Sequence, residues 1–197
     1  MPSESTIEVS NLTKYYGKLL AVDQISFDVK RKELFGLLGP NGAGKTTTIR
    51  MICGMLRPTS GTIVVSGFDV SKQPEEVKRR IGLIPDISNL FGELSAKVNL
   101  EFMGKLYGLE KKTRRERISQ VLELFQLKER QNDLVKYYSK GMHRRLTIAA
   151  ALIHQPEILV MDEPTSGLDA QTARLVREII INLNKEGRTV LLTTHQI

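Results

Sequence analysis

Leu34-Phe35-Gly36-Leu37-Leu38-Gly39-Pro40-Asn41-Gly42-Ala43-Gly44-Lys45-Thr46-Thr47 is the stretch on which the fold turns. Its first five residues read as a buried strand. The glycine-rich turn that follows opens a predicted helix over residues 46–55, stopped near Gly54 with Pro58 beyond. Glycines let backbone N–H groups turn inward and approach anionic oxygens closely. A helix N-terminus adds the positive end of its dipole. Within that cradle Lys45 can reach the β- and γ-phosphates of a nucleotide, and the Thr46 hydroxyl can ligate Mg²⁺.

A second apolar run, Ile158–Met161, ends abruptly in Asp162-Glu163. A buried strand would deliver both acids to its C-terminal end, where ligand sites of α/β proteins lie. Asp162 can hold hydrated Mg²⁺. Glu163 can orient an attacking water or take its proton.

Further out, short β-like runs at 25–29, 62–65, Ile81–Ile84 and 189–192 alternate with helical ones. That alternation predicts an α/β domain with a mainly parallel sheet. Between about 89 and 154 the pattern changes. Ile118, Val121, Leu122 and Phe125 share one helical face, and 98–106 and 144–153 also read as helices. The expected layout is an α/β core (about 1–88 and 155–197) with an antiparallel N-terminal β portion, interrupted by a helical lobe (about 89–154).

The 197-residue length suits one domain. Hydrophobic residues make up 41% and charged residues 26%, ordinary globular usage. One cysteine, Cys53, excludes an intrachain disulfide or a multi-cysteine zinc site. No apolar run reaches the length of a membrane span, and residues 1–5 lack signal-peptide texture. A net charge of +7 favours anionic partners. Its densest run, Lys111, Lys112, Arg114, Arg115 and Arg117, reads first as a solvated helix face, and the scarcity of aromatic residues there gives base stacking little support.

Phosphate cradles occur in kinases and GTPases as well. Tyr138-Ser139-Lys140-Gly141-Met142, followed by Arg144-Arg145-Leu146-Thr147-Ile148-Ala149-Ala150-Ala151-Leu152, narrows the choice. It resembles the signature loop and helix of ATP-binding cassette (ABC) ATPases, and the resemblance runs over essentially the whole chain. The resemblance implies a P-loop NTPase core and ATP and Mg²⁺ as ligands. It also implies a head-to-tail dimer, with itself or a related cassette, in which Ser139 and Gly141 cover the partner subunit's nucleotide. Tyr16 resembles the aromatic that stacks on adenine, with Tyr15 the alternative; Tyr16 reads otherwise as a plain strand-edge tyrosine. Ser166-Gly167-Leu168-Asp169 resembles the loop between the subunits, and His195 the histidine at the γ-phosphate.

The family further implies a separate membrane-spanning permease, a place on the cytoplasmic face of the membrane, and no nucleic-acid partner. Residues 165–169 with Tyr138-Ser139 look most like cassettes of drug- or lipid-exporting systems. Two positions depart from the family pattern. Lys140 replaces the first signature glycine. Asp86 stands where a glutamine usually touches Mg²⁺ and signals to the permease, and reads either as a metal ligand or as an ordinary loop aspartate. Cassettes generally continue past the histidine, so a C-terminally truncated form is expected. Two rival readings are a soluble cassette ATPase working on nucleic acid or ribosomes, and a nucleotide-binding regulatory subunit that does not hydrolyse.

Overall fold

The computed structural model describes residues 4–195. The chain opens with a hairpin, β1 (Ser5–Tyr16) and β2 (Leu19–Lys30). Then β3 (Leu34–Leu38) enters the phosphate turn and α1 (Lys45–Ile52) leaves it. Strands β4 (Ser60–Val65) and β5 (Phe68–Asp69) and helix α2 (Pro74–Arg80) lead into β6 (Ile81–Ile84). Three helices follow: α3 (Ala96–Leu106), α4 (Lys111–Leu124) and α5 (Lys140–Leu152). The chain closes with β7 (Ile158–Met161), α6 (Ala170–Lys185) and β8 (Thr189–Thr194).

The strands form two sheets. One is antiparallel, in the order β2-β1-β4-β5; the other is parallel, in the order β3-β8-β7-β6. Register decides where function can sit. Leu38 pairs with Thr194, Met161 with Leu192, and Ile84 with Met161. Four loops therefore leave the parallel sheet at one edge: those beginning at Gly39, Pro85, Asp162 and His195.

Strand β7 shows why this sheet is central. All four of its residues are buried. Ile158 and Val160 join one apolar cluster, with Ile49 and Ile52 of α1 and Ile7, Val9 and Ile63 of the antiparallel sheet. Leu159 and Met161 join another, with Leu122, Phe125, Leu146, Val176 and Ile180. Alternate side chains point to opposite faces, so a strand covered on both sides must be apolar at every position. The helical segment between β6 and β7 thus shares its core with one face of the sheet.

Several bounds differ from expectation for local reasons. Helix α1 stops at Ile52 because Gly54 turns left-handed (φ 66°) and sends its N–H back to Met51 O. Helix α5 starts at Lys140 because Ser139 caps it, its Oγ accepting from Met142 N. In α4, Ile118, Val121 and Leu122 are buried, as their spacing predicts. Lys111, Lys112 and Arg115 are exposed, whereas Arg114 lies against Gly104 of α3 and donates to Leu109 O at 2.7 Å. Cys53 is buried, which pushes its thiol up to about 12 and leaves it a plain core residue.

Candidate nucleotide site

The cradle forms where β3 gives way to α1. No side chain caps α1, and its first turn carries no acidic residue, so the leading N–H groups have no side-chain acceptor. Gly44 is the position at which only glycine fits. Its φ is +82°, and a Cβ there would stand 2.3 Å from Ala21 O. Strand β2 is thereby held against the turn, and Leu19, Leu20 and Ala21 join Asn41, Gly42, Ala43, Gly44, Lys45, Thr46 and Thr47 around a cavity of about 330 Å³. Asp86 and Glu163 complete its wall. Gly39 and Pro40 contribute their carbonyls, to which Lys45 Nζ donates at 2.6 and 3.0 Å.

Across the cavity, the end of β7 is wired to its neighbours. Thr46 Oγ1 donates to Asp162 Oδ2 at 2.7 Å, and Thr193 Oγ1 donates to Asp162 Oδ1 at 2.6 Å. Both oxygens of this buried carboxylate are thus engaged. Thr193 Oγ1 also accepts the Glu163 N–H at 3.0 Å. Glu163 sits at φ 45°, a left-handed turn that swings its carboxylate back over the sheet edge. There Oε2 meets His195 Nδ1 at 2.9 Å, and Oε1 lies 3.5 Å from Lys45 Nζ. That Oε1 is buried and has no hydrogen-bond partner among the described residues. A carboxylate oxygen left so needs a donor, which water or substrate can supply.

Sequence-predicted residues fall into two groups. Lys45, Thr46, Asp162, Glu163 and His195 converge. Ser139 and Gly141 lie instead at the N-terminus of α5, near the Ser166–Asp169 loop. There Asp169 caps α6, its Oδ1 accepting from Thr172 N and its Oδ2 from the Thr172 hydroxyl at 2.7 Å. Thr172 in turn packs on Gly141, where a Cβ would stand 2.8 Å from its Cγ2. Lys140, His143, Ser166 and Leu168 line a separate cavity of about 380 Å³ that also reaches Asp86. Asp86 is exposed, with no hydrogen bond or ion pair to its carboxylate among the described residues. Tyr16 stands exposed at the end of β1, paired with Leu19 across the hairpin, with Lys14 Nζ 5.4 Å from its ring centre.

Two residues escaped the sequence reading. Thr193 is fully buried and serves Asp162 and Glu163 together; a polar side chain inside an apolar strand was its signal. Arg144 is buried on a mostly apolar helix and donates to four backbone carbonyls at the sheet edge.

The donor chemistry fits a hydrated Mg²⁺. Thr46 and Asp162 present hard oxygen atoms side by side, and line with Asp86 a second, smaller cavity of about 220 Å³. Among the described residues no group of three or more His, Cys, Asp or Glu could form a closed metal cage. That suits an ion that keeps its waters and binds phosphate.

Known proteins give this geometry its context. The ABC transporter family profile matches residues 22–166. The linearmycin resistance ATP-binding protein LnrL of Bacillus subtilis is 46% identical over 189 residues, covering 96% of this chain and 61% of its own length. The Nod factor export ATP-binding protein I of Ralstonia nicotianae is 43% identical, covering 98% and 60%. The chain therefore spans about three-fifths of the length of these relatives. Among solved structures, an ATP-binding subunit of an ABC transporter superposes with a TM-score of 0.85 at 31% identity, covering 97% of this chain and 80% of that one. The dimeric, post-hydrolysis cassette MJ0796 bound to ADP and Pi superposes at 0.86 and 26%, covering 96% and 88%. With motif order, sheet topology and all three comparisons in agreement, the chain belongs to the ABC transporter family of ATP-binding cassettes.

Proposed function

We propose that this chain binds Mg·ATP at the parallel-sheet edge, hydrolyses it between two copies, and drives export through a separate membrane-spanning partner. The observation that carries the reading is the convergence of Lys45, Thr46, Asp162, Glu163 and His195 from three separate strand ends. Free amides of α1 and the Lys45 ammonium receive the phosphates. Mg²⁺, held through Thr46 and Asp162, would neutralise charge on the phosphate oxygens. Glu163 takes the proton of an attacking water at Oε1, which no hydrogen bond from a described residue holds, while His195 Nδ1 fixes Oε2 and with it the carboxylate's aim.

Phosphates drawn in by Lys45 also loosen the 3.5 Å Lys45–Glu163 contact, so nucleotide frees the base it will need. The second copy enters because Ser139 and Lys140 are exposed and Gly141 lies beside them, at the open end of a helix dipole. A dimer would bring that end to the partner's nucleotide. The relatives named above carry the words resistance and export, which supports outward transport.

No described helix is long and apolar enough to cross a membrane. The surface next to Asp86 supports a separate partner. Ile87 is 84% exposed, and Val98, Phe102 and Leu106 form one outward face of α3, with Phe91 edge-on to Phe102 at 5.3 Å. Met55 and Leu106 flank a cavity of about 770 Å³ that also takes in Tyr107, Lys78 and Arg79. An exposed apolar strip of this kind marks a docking surface, and its first residue adjoins Asp86, so a docked helix would sense the nucleotide edge directly.

Light scattering on the Glu163→Gln variant tests the cycle. Mg·ATP should convert it from monomer to a lasting dimer, and Lys45→Ala should not respond. A variant that stays monomeric with ATP bound contradicts the two-copy reading.

A further inference from the structure

Helix α5 is apolar along most of its length, yet Arg144 is buried within it at 8% exposure. Burial pulls its guanidinium pKa down, and the nearby Asp86 and Asp162 carboxylates push it back up. What this charge touches is backbone. Nε donates to Pro164 O at 2.9 Å, one terminal nitrogen to Pro85 O at 2.6 Å, and the other to Asp162 O and Glu163 O, both at 3.1 Å.

The four acceptors have a common origin. Strands β6 and β7 both stop at this edge, the first at Pro85 and the second at the left-handed Glu163 with Pro164 behind it. Beyond those points the sheet ladder ends. Among the described residues, the carbonyls of residues 162, 163 and 164 are left without ladder donors, and only Glu163 O takes another backbone N–H, from Ser166. One planar guanidinium, with five donors in a fixed fork, meets the whole set; a lysine ammonium presents three donors from a single point.

We infer that Arg144 is a positioning residue, which sets the aim of Glu163 and locks the loops of Asp86 and Glu163 to the helix whose N-terminus carries Ser139 and Gly141. Glu163 is held through its backbone on both sides: its N–H by Thr193 and its carbonyl by Arg144. Rotation of that peptide would carry the carboxylate away from His195. Pro85 O ties the adjoining Asp86 to the same group. Since Ser139 caps α5 only five residues earlier, a shift of the signature end in one direction moves both loops together. The assignment rests on the proposed hydrolysis for its kinetic consequence, not for its geometry.

Arg145 supplies the internal comparison. It lies on the same helix and also donates to a backbone carbonyl, Phe125 O at 2.8 Å, but at the end of α4 rather than at the sheet edge. The test is Arg144→Lys and Arg144→Gln beside Arg145→Lys, with steady-state ATPase kinetics, fluorescent ATP-analogue binding and amide exchange without nucleotide. Both Arg144 variants should lose roughly ten- to hundredfold in kcat through misaligned geometry, with nucleotide Kd within about threefold of the parent. Amides of residues 163–166 should exchange faster in them, and Arg145→Lys should keep both kcat and that protection. A parent chain without turnover would defeat the hydrolysis reading, yet the exchange arm would still decide the clamp. Unchanged exchange in Arg144→Lys, or equal kcat losses at Arg144 and Arg145, would overturn the assignment.

Discussion

Two neighbouring strands of the parallel sheet end in acids, and the two ends could hardly differ more. Asp162, after β7, is 5% exposed, with each oxygen held by a threonine hydroxyl. Asp86, after β6, is exposed and its carboxylate has no hydrogen bond among the described residues, although the two acids line one small cavity beside Thr46. A pre-oriented carboxylate needs no rearrangement to meet a cation, which is how a site stabilises charge at low reorganisation cost. An unheld one can follow whatever docks beside it. The edge thus joins a rigid chemical side to a compliant sensing side, with Arg144 bridging their backbones.

The contrast can be broken from the rigid side first. Glu163→Gln removes the proton acceptor while keeping shape, and should lower ATP turnover on the order of a hundredfold or more, with ATP still bound. Turnover close to the parent's would remove Glu163 from the base role. Thr193→Val comes next. It keeps volume but strips partners from the buried Asp162 Oδ1 and the half-buried Glu163 N–H. Denaturant unfolding should show a loss of about 1–3 kcal/mol, with turnover down roughly tenfold from the loosened carboxylates. Full retention of stability would mean that the threonine is dispensable.

The compliant side should give less. Asp86→Asn should alter nucleotide Kd by no more than about threefold, because an exposed group contributes little fixed field. A loss as large as that of Glu163→Gln would erase the distinction. At the opposite end of β6, His154 stacks on Tyr107 with ring centres 3.6 Å apart and contacts Ile81 O at 3.2 Å. Burial takes its pKa down to about 4 from 6.5. The neutral form is therefore favoured by folding: stability is complete above pH 6.5 and drains as the pH falls toward 4. Between pH 7 and 5 that amounts to about 2 kcal/mol, or several degrees of Tm. His154→Phe should flatten this slope, as read by thermal unfolding at both pH values; an unchanged slope would place the acid sensitivity elsewhere.

Much of this edge was legible from residue order. The apolar run ending in Asp162-Glu163 already locates one strand end, because a buried strand must be apolar throughout and its first polar residue marks its exit. The run ending in Gly39 is a strand too, but not the buried one it reads as: β3 lies at the sheet edge, with Leu34 and Leu38 exposed. The period of Ile118, Val121, Leu122 and Phe125 likewise gives the inner face of α4. Other features were not readable that way. Helix α6 carries Asp169 three residues before Thr172 and buries Ala173, Val176, Ile180 and Leu183, a cap and a period present in the sequence but overlooked beside the motifs. Arg144 is different in kind. Its partners at 85 and 162–164 are distant along the chain, and a basic residue in a helix reads as solvated until the sheet edge is placed against it. Local pattern yields elements; what a side chain satisfies depends on which strand ends fold together.

The most direct test of the account is phosphate release with Mg·ATP, measured per subunit across a range of protein concentrations, with Lys45→Ala as the blank. The account predicts turnover that rises with concentration as copies pair across the nucleotide, and none above background in the blank. Turnover per subunit that stays flat with dilution, or no release while ATP remains bound, would contradict hydrolysis between two copies at this edge.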